Sequence, residues 1–138
     1  MLLDNDVREK LSQYLQLMEN DVLIKVSVAD DPASNQMSEF VRELADLSAK
    51  IHVKETALAR VPSFSINKVN QDTGITFAGI PLGHEFTSLV LALLQTSGYP
   101  PKVDASLVDQ IKNIKSTFNF ETYISLTCHN CPDVVQAL

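Results

Sequence analysis

A chain of 138 residues, 45% hydrophobic and 20% charged, can bury a core as one domain or as two small, intimately packed units. Its net charge of −6 at pH 7 argues against nucleic acid and anionic membrane as partners, because both need a Lys/Arg footprint. The longest apolar run, "SLVLALL", falls far short of the roughly 20 residues that cross a membrane.

The N-terminus, "MLLDNDVREKL", is acidic and amphipathic and lacks the basic-then-apolar order of a signal peptide. A cytoplasmic home is expected. There, two cysteines point to catalysis or metal binding before structure. Residues 4–19 carry Val7, Leu11, Tyr14, Leu15 and Met18 at helical spacing. "DVLIKVSVA" (21–29) alternates as a strand does, and "DDPASNQ" reads as a loop. Over 36–49, Met37, Phe40, Val41, Leu44 and Leu47 form a second helical stripe, followed by strand-like "KIHVKE". "FSINKVN" and "ITFAGI" flank a turn at "QDTG" and predict a hairpin. A helix entered at Gly83 and ended by Gly98 follows, with Phe86, Leu89, Val90 and Leu93 facing inward.

After the break at "YPPK", a helix is predicted over 104–115, with Asp104 as N-cap and Leu107, Val108, Ile111 and Ile114 buried. "FNFETYISLT" (118–127) reads as a strand with Phe118, Phe120, Thr122 and Ile124 on one face. A last helix starts near "CHNCP". Two stretches therefore share one design of helix, strand, loop and helix: "VLIKVSVADDPASNQMSEFVREL" and "FETYISLTCHNCPDVVQAL". The first goes on to a strand, a hairpin and a helix. The second stops after its helix begins.

Strand, Cys-x-x-Cys and helix in that order suit thiol chemistry. Cys128 would sit where unpaired helix N–H groups stabilise a thiolate, and Cys131 would follow within one turn to resolve a mixed disulfide. Pro132 costs little so early in a helix, and His129 would favour the Cys128 thiolate. Two alternatives stand beside this reading. A zinc site would need two further ligands, and His52, His84 and His129 form no recognisable set; the other alternative is a buried, inert cysteine pair.

The matching first loop, "ADDPASNQ", holds no cysteine. Val61-Pro62 precedes the predicted hairpin as the proline beside a thioredoxin active site does, so a cis bond is expected; an ordinary trans proline is the alternative. Glu85, in "GHEF", suits a helix start through the dipole alone. His84 is then a neighbour, His52 a surface or half-buried strand residue, and "VADD" a solvated strand end. Gly74, Gly79 and Gly83 have the wrong spacing for a dinucleotide fingerprint, so no cofactor is expected in this chain.

At "FAGIPLGHEFTSLVLALL" and "FETYISLTCHNCPDVVQAL" the sequence resembles, over its whole length, the N-terminal domain of the alkyl hydroperoxide reductase flavoproteins. The resemblance implies an α/β protein of tandem thioredoxin-like folds. Residues 1–99 would be a complete first repeat without cysteines, and residues 100–138 the start of a second that carries the dithiol. It implies a disulfide-reductase electron carrier, drawing on FAD and NADH bound by the flavoprotein portion of a longer chain. The implied recipient is the peroxiredoxin partner of alkyl hydroperoxide reductase. Cys128 and Cys131 match the family's redox-active disulfide, and Glu85 matches an acid near it, with a role as proton acceptor or donor. The family's second repeat continues where this chain stops, so a truncated product is expected, with an apolar edge that favours disorder or association, including a homodimer. A stand-alone glutaredoxin-like oxidoreductase and a non-catalytic docking module are the competing readings.

Overall fold

The computed structural model describes residues 2–138. Asp4 opens α1 (Asn5–Leu15) by accepting the Val7 N–H at 2.9 Å, and the helix buries Leu11 and Leu15. The alternation at 21–29 becomes β1 (Val22–Ser27), with Val22, Ile24 and Val26 buried.

The next helix, α2 (Pro32–Leu47), begins four residues before the periodicity predicts. Asp31 accepts the Ser34 N–H at 2.7 Å and Pro32 occupies the first turn, where its missing donor is harmless. "PASNQ" is therefore the start of the helix and not a loop, and Asp31 is a cap and not a solvated strand end. Met37, Phe40, Val41 and Leu44 form its buried stripe.

β2 (Ile51–Glu55) pairs parallel to β1 across this helix. β3 (Ser63–Lys68) pairs antiparallel to the other side of β1, and β4 (Gln71–Phe77) antiparallel to β3. The sheet order is β2-β1-β3-β4. The hairpin turns at Val69-Asn70, since Lys68 already faces Gln71. "QDTG" lies within β4, contrary to the expected turn. There, the Asn67 side chain accepts the Thr73 N–H at 3.2 Å beside a register shift between Ile66 and Lys68, so a polar side chain supports the irregular ladder.

One sheet face carries Val26, Phe64 and Phe77 in register, with Ile24 opposite Ile66. The Phe64 ring packs on Phe77 at 5.4 Å and on Phe40 of α2 at 5.9 Å. A 3-10 turn (Gly83–Glu85) leads into α3 (Phe86–Thr96), which buries Leu89, Val90, Leu93 and Leu94 and packs against β3 and α1. Gly98, at φ +112, ends it as predicted. Strand, helix and strand followed by hairpin and helix is the order of a thioredoxin-like unit, and the Val61-Pro62 bond before β3 is cis as expected.

Beyond residue 99 the expectations need correction. The helix α4 (Ala105–Lys112) forms, but Asp104 makes no side-chain cap bond. Leu107, Ile111 and Ile114 are exposed and Val108 only half-buried, because no described element packs closely on that stripe. Residues 118–127 form no strand. Their backbone joins no ladder of the sheet, and a strand without a ladder partner has no hydrogen bonds to hold it extended. Phe118, Phe120, Tyr123 and Ile124 are exposed as a result. A short final helix, α5 (Cys131–Ala137), starts at the second cysteine.

Candidate redox site

Cys128 follows a tight turn in which its amide donates to the Ser125 carbonyl at 3.0 Å. Asn130 ends the loop, and α5 begins with Cys131 and Pro132. This spacing brings the two cysteine Cα atoms to 5.5 Å, and the sulfurs are joined as a disulfide. The Cys131 N–H donates to the Cys128 sulfur at 3.2 Å. That amide would have no partner within the helix, so electron density building up on Cys128 meets a donor already in place. Both cysteines are half-buried, and His129 between them is exposed.

The loop and α5 rest on the 3-10 turn and the start of α3. Gly83 has φ +58, and a Cβ there would come within 2.9 Å of the Leu126 carbonyl oxygen. Only glycine combines that backbone angle with so close an approach. The His84 N–H then donates to the same oxygen at 3.0 Å, and the His84 ring meets the His129 ring edge-on, centroids 4.4 Å apart.

Glu85, the next residue, is fully buried. The Ser88 hydroxyl donates to its Oε1 at 2.7 Å, and the Gln136 amide of α5 donates to the Ser88 oxygen at 3.2 Å. Its Oε2 has no hydrogen-bond partner among the described residues. A buried carboxyl oxygen left without a partner costs free energy, having given up its hydrogen bonds to water.

A second tie lies upstream of the loop. Arg60, two residues before the cis proline, donates to Glu121 at 3.0 Å and to the Tyr123 hydroxyl at 3.4 Å, while that hydroxyl donates to Glu121 at 2.9 Å. The Tyr123 hydrogen bond, then Arg60, holds the Glu121 carboxyl below its ordinary value. The Arg60 guanidinium is raised, chiefly by its hydrogen bond to Glu121.

The structure thus brings Cys128, Cys131 and the Glu85–Ser88–Gln136 chain onto one side of the thioredoxin-like unit. It also adds Ser88, Gln136 and Arg60, which sequence spacing does not mark, and gives a ring contact to His84, which the sequence offers only as a neighbour of Glu85. No local signal could have found them, since each meets a group 45 to 63 positions away in the chain. His52 lies elsewhere, at the surface, 3.0 Å from Asp21. A cleft of about 770 Å³ lined by Arg8, Asn35, Arg42, Glu43 and Glu55 contains no residue of the dithiol loop.

No protein-family model matches the chain. A protein named NADH dehydrogenase from Bacillus subtilis is 62% identical over all 138 residues, which are 27% of its own length. The F component of alkyl hydroperoxide reductase from Staphylococcus epidermidis is 54% identical over 137 residues, 99% of this chain and again 27% of the relative. The solved NTD_N/C domain of alkylhydroperoxide reductase AhpF from Enterococcus faecalis matches at a TM-score of 0.82 and 29% identity, over 98% of this chain and 72% of that one.

This sequence is a relative of the N-terminal part of AhpF.

The likeness to AhpF covers both the cysteine-free unit and the dithiol segment, because the alignments run nearly the full length of the chain. It bears out an α/β thioredoxin-like fold with a Cys128–Cys131 pair near its C-terminal end. The chain spans about a quarter of the length of these curated AhpF relatives. No helix among the described residues is long and apolar enough to cross a membrane.

Proposed function

We propose that this chain is the electron-carrying dithiol region of an AhpF-type peroxide-reductase system, working in the cytoplasm by thiol–disulfide exchange. Residues 1–99 act as a cysteine-free thioredoxin-like platform, and residues 100–138 begin a second copy that carries the reactive pair. The observation behind this reading is the Cys131 amide aimed at the Cys128 sulfur at the start of α5.

In this reading, which the likeness to AhpF supports, the electrons come from a dithiol in the flavoprotein portion of a longer chain. That donor is oxidised to a disulfide as the Cys128–Cys131 bond breaks and takes up two electrons and two protons. Cys128, as thiolate, then attacks one sulfur of a peroxiredoxin disulfide. A mixed disulfide forms and one partner thiolate leaves. Cys131 next gives up its proton and attacks the Cys128 sulfur, which re-forms the internal disulfide and releases the second partner thiolate. Glu85 is assigned as the acceptor of the Cys131 proton, which it passes on to the departing thiolate.

Two experiments test this. Cys131→Ser should trap a mixed disulfide through Cys128, visible by intact mass, whereas Cys128→Ser should trap none. The reduced 138-residue chain should also reduce an oxidised two-cysteine peroxiredoxin much faster than an equal concentration of dithiothreitol. Transfer no faster than the small dithiol would overturn the proposal.

A further inference from the structure

His84 is presented to the dithiol loop by a backbone anchored on both sides. Before it, Gly83 lets the chain pass so near the Leu126 carbonyl that no side chain would fit between them. After it, Glu85 is buried and held by Ser88. Its own amide is tied to Leu126, two residues before Cys128. Its ring has one ring neighbour among the described residues, His129, which stands between the two cysteines.

His129 belongs to an exposed loop and would be free to rotate away from the sulfurs without a support. An imidazole that stays within the Cys-x-x-Cys loop can offer an N–H to a thiolate, and one turned to water cannot. The edge-on contact at 4.4 Å supplies the support, from a ring whose backbone cannot move independently of Leu126. The titratable groups on the elements around the two rings are Glu85, Asp133 in the first turn of α5 and the cysteines themselves; α3 has none. Glu121 and Tyr123, farther up the segment, are engaged with Arg60.

We propose that His84 is a positioning residue for the redox pair: its ring holds the His129 imidazole within the dithiol loop and so favours the reduced state with Cys128 as a thiolate. The cysteine-free unit would then take part in the chemistry through a residue that touches neither sulfur. This rests on the thiol–disulfide reading above.

The test uses the full 138-residue chain and measures two quantities. These are the equilibrium of the pair against glutathione and the pH dependence of Cys128 alkylation by iodoacetamide. His84→Ala should move the equilibrium about three- to tenfold toward the disulfide and slow alkylation at neutral pH by a similar factor, the loss expected of one hydrogen bond. The alkylation midpoint should move to higher pH. His84→Phe, which keeps a ring against His129, should restore most of both. In a His129→Ala background, His84→Ala should add no further change. Wild-type values in His84→Ala, or a His84→Phe as impaired as the alanine variant, would overturn the proposal. A wild-type Cys128 no more reactive than glutathione would instead bring down the exchange reading itself, and the two failures are thereby distinguishable.

Discussion

Arg60 and Glu121 meet at 3.0 Å across 61 residues of chain, joining the loop before the cis proline to the segment that leads into the dithiol. Both groups are exposed, so the pair should fasten that segment locally without adding much to global stability. Arg60→Ala is expected to lower the backbone NMR order parameters across residues 118–127 while leaving the melting temperature unchanged. The folded carboxyl titrates below its ordinary value of 4.5, so the fastening is fully present above that pH and is lost as pH falls through the lowered value. An NMR titration of the Glu121 and Arg60 side chains checks the direction. Raising salt should weaken the same contact.

Glu85 separates a proton-transfer role from a packing role. Glu85→Gln keeps the shape and an acceptor for the Ser88 hydroxyl, so the unfolding free energy should change by no more than about 1 kcal/mol. Exchange with a peroxiredoxin disulfide should nonetheless fall by roughly 100-fold, the scale of a lost general acid–base group. Urea denaturation and stopped-flow transfer measure the two. A rate within about twofold of wild type would leave Glu85 as a packing residue only.

Gly83→Ala is expected to be severe for one small methyl group. The residue sits at φ +58, which costs a non-glycine residue about 1–2 kcal/mol, and the new Cβ would meet the Leu126 oxygen at 2.9 Å. The 3-10 turn should shift, and the His84 amide should lose its bond to Leu126. Lower stability in urea together with faster exchange of the His84 amide is the expected pair of results.

Phe64→Ala tests the platform by itself. The ring is completely buried and bridges β4 and α2 through Phe77 and Phe40. Its removal should cost about 3–5 kcal/mol in equilibrium unfolding. A loss below about 1 kcal/mol would mean that the core lies elsewhere.

Local pattern carried the reading through residue 98. The stripe of Met37, Phe40, Val41 and Leu44 is the buried face of α2, and the alternation of Val22, Ile24 and Val26 is the inward face of the central strand. Periodicity missed the first turn of α2, because that turn is set by a cap and a proline and not by apolar spacing. It also misplaced the hairpin turn. Gly74 looks like turn chemistry but sits inside β4, at φ +84, beside a ladder irregularity. Residues 118–127 show the limit from the other side. Phe118, Phe120 and Ile124 have a strand's alternation, yet pairing requires a neighbouring strand, and none of the four pairs with them.

At the site, the spacing of Cys128 and Cys131 was enough to assign a dithiol at a helix start, because a separation of three residues at that point puts both sulfurs within bonding reach. Everything that bears on how the dithiol is held came from the folded chain. His84 against His129, Ser88 against Gln136, and Arg60 on Glu121 all join positions far apart in sequence. Periodicity and a cysteine motif are properties of neighbouring residues, so the sequence alone determined them. Contacts between the platform and the dithiol segment depend on how a whole sheet and its helices close around one core, and only the tertiary structure decided them.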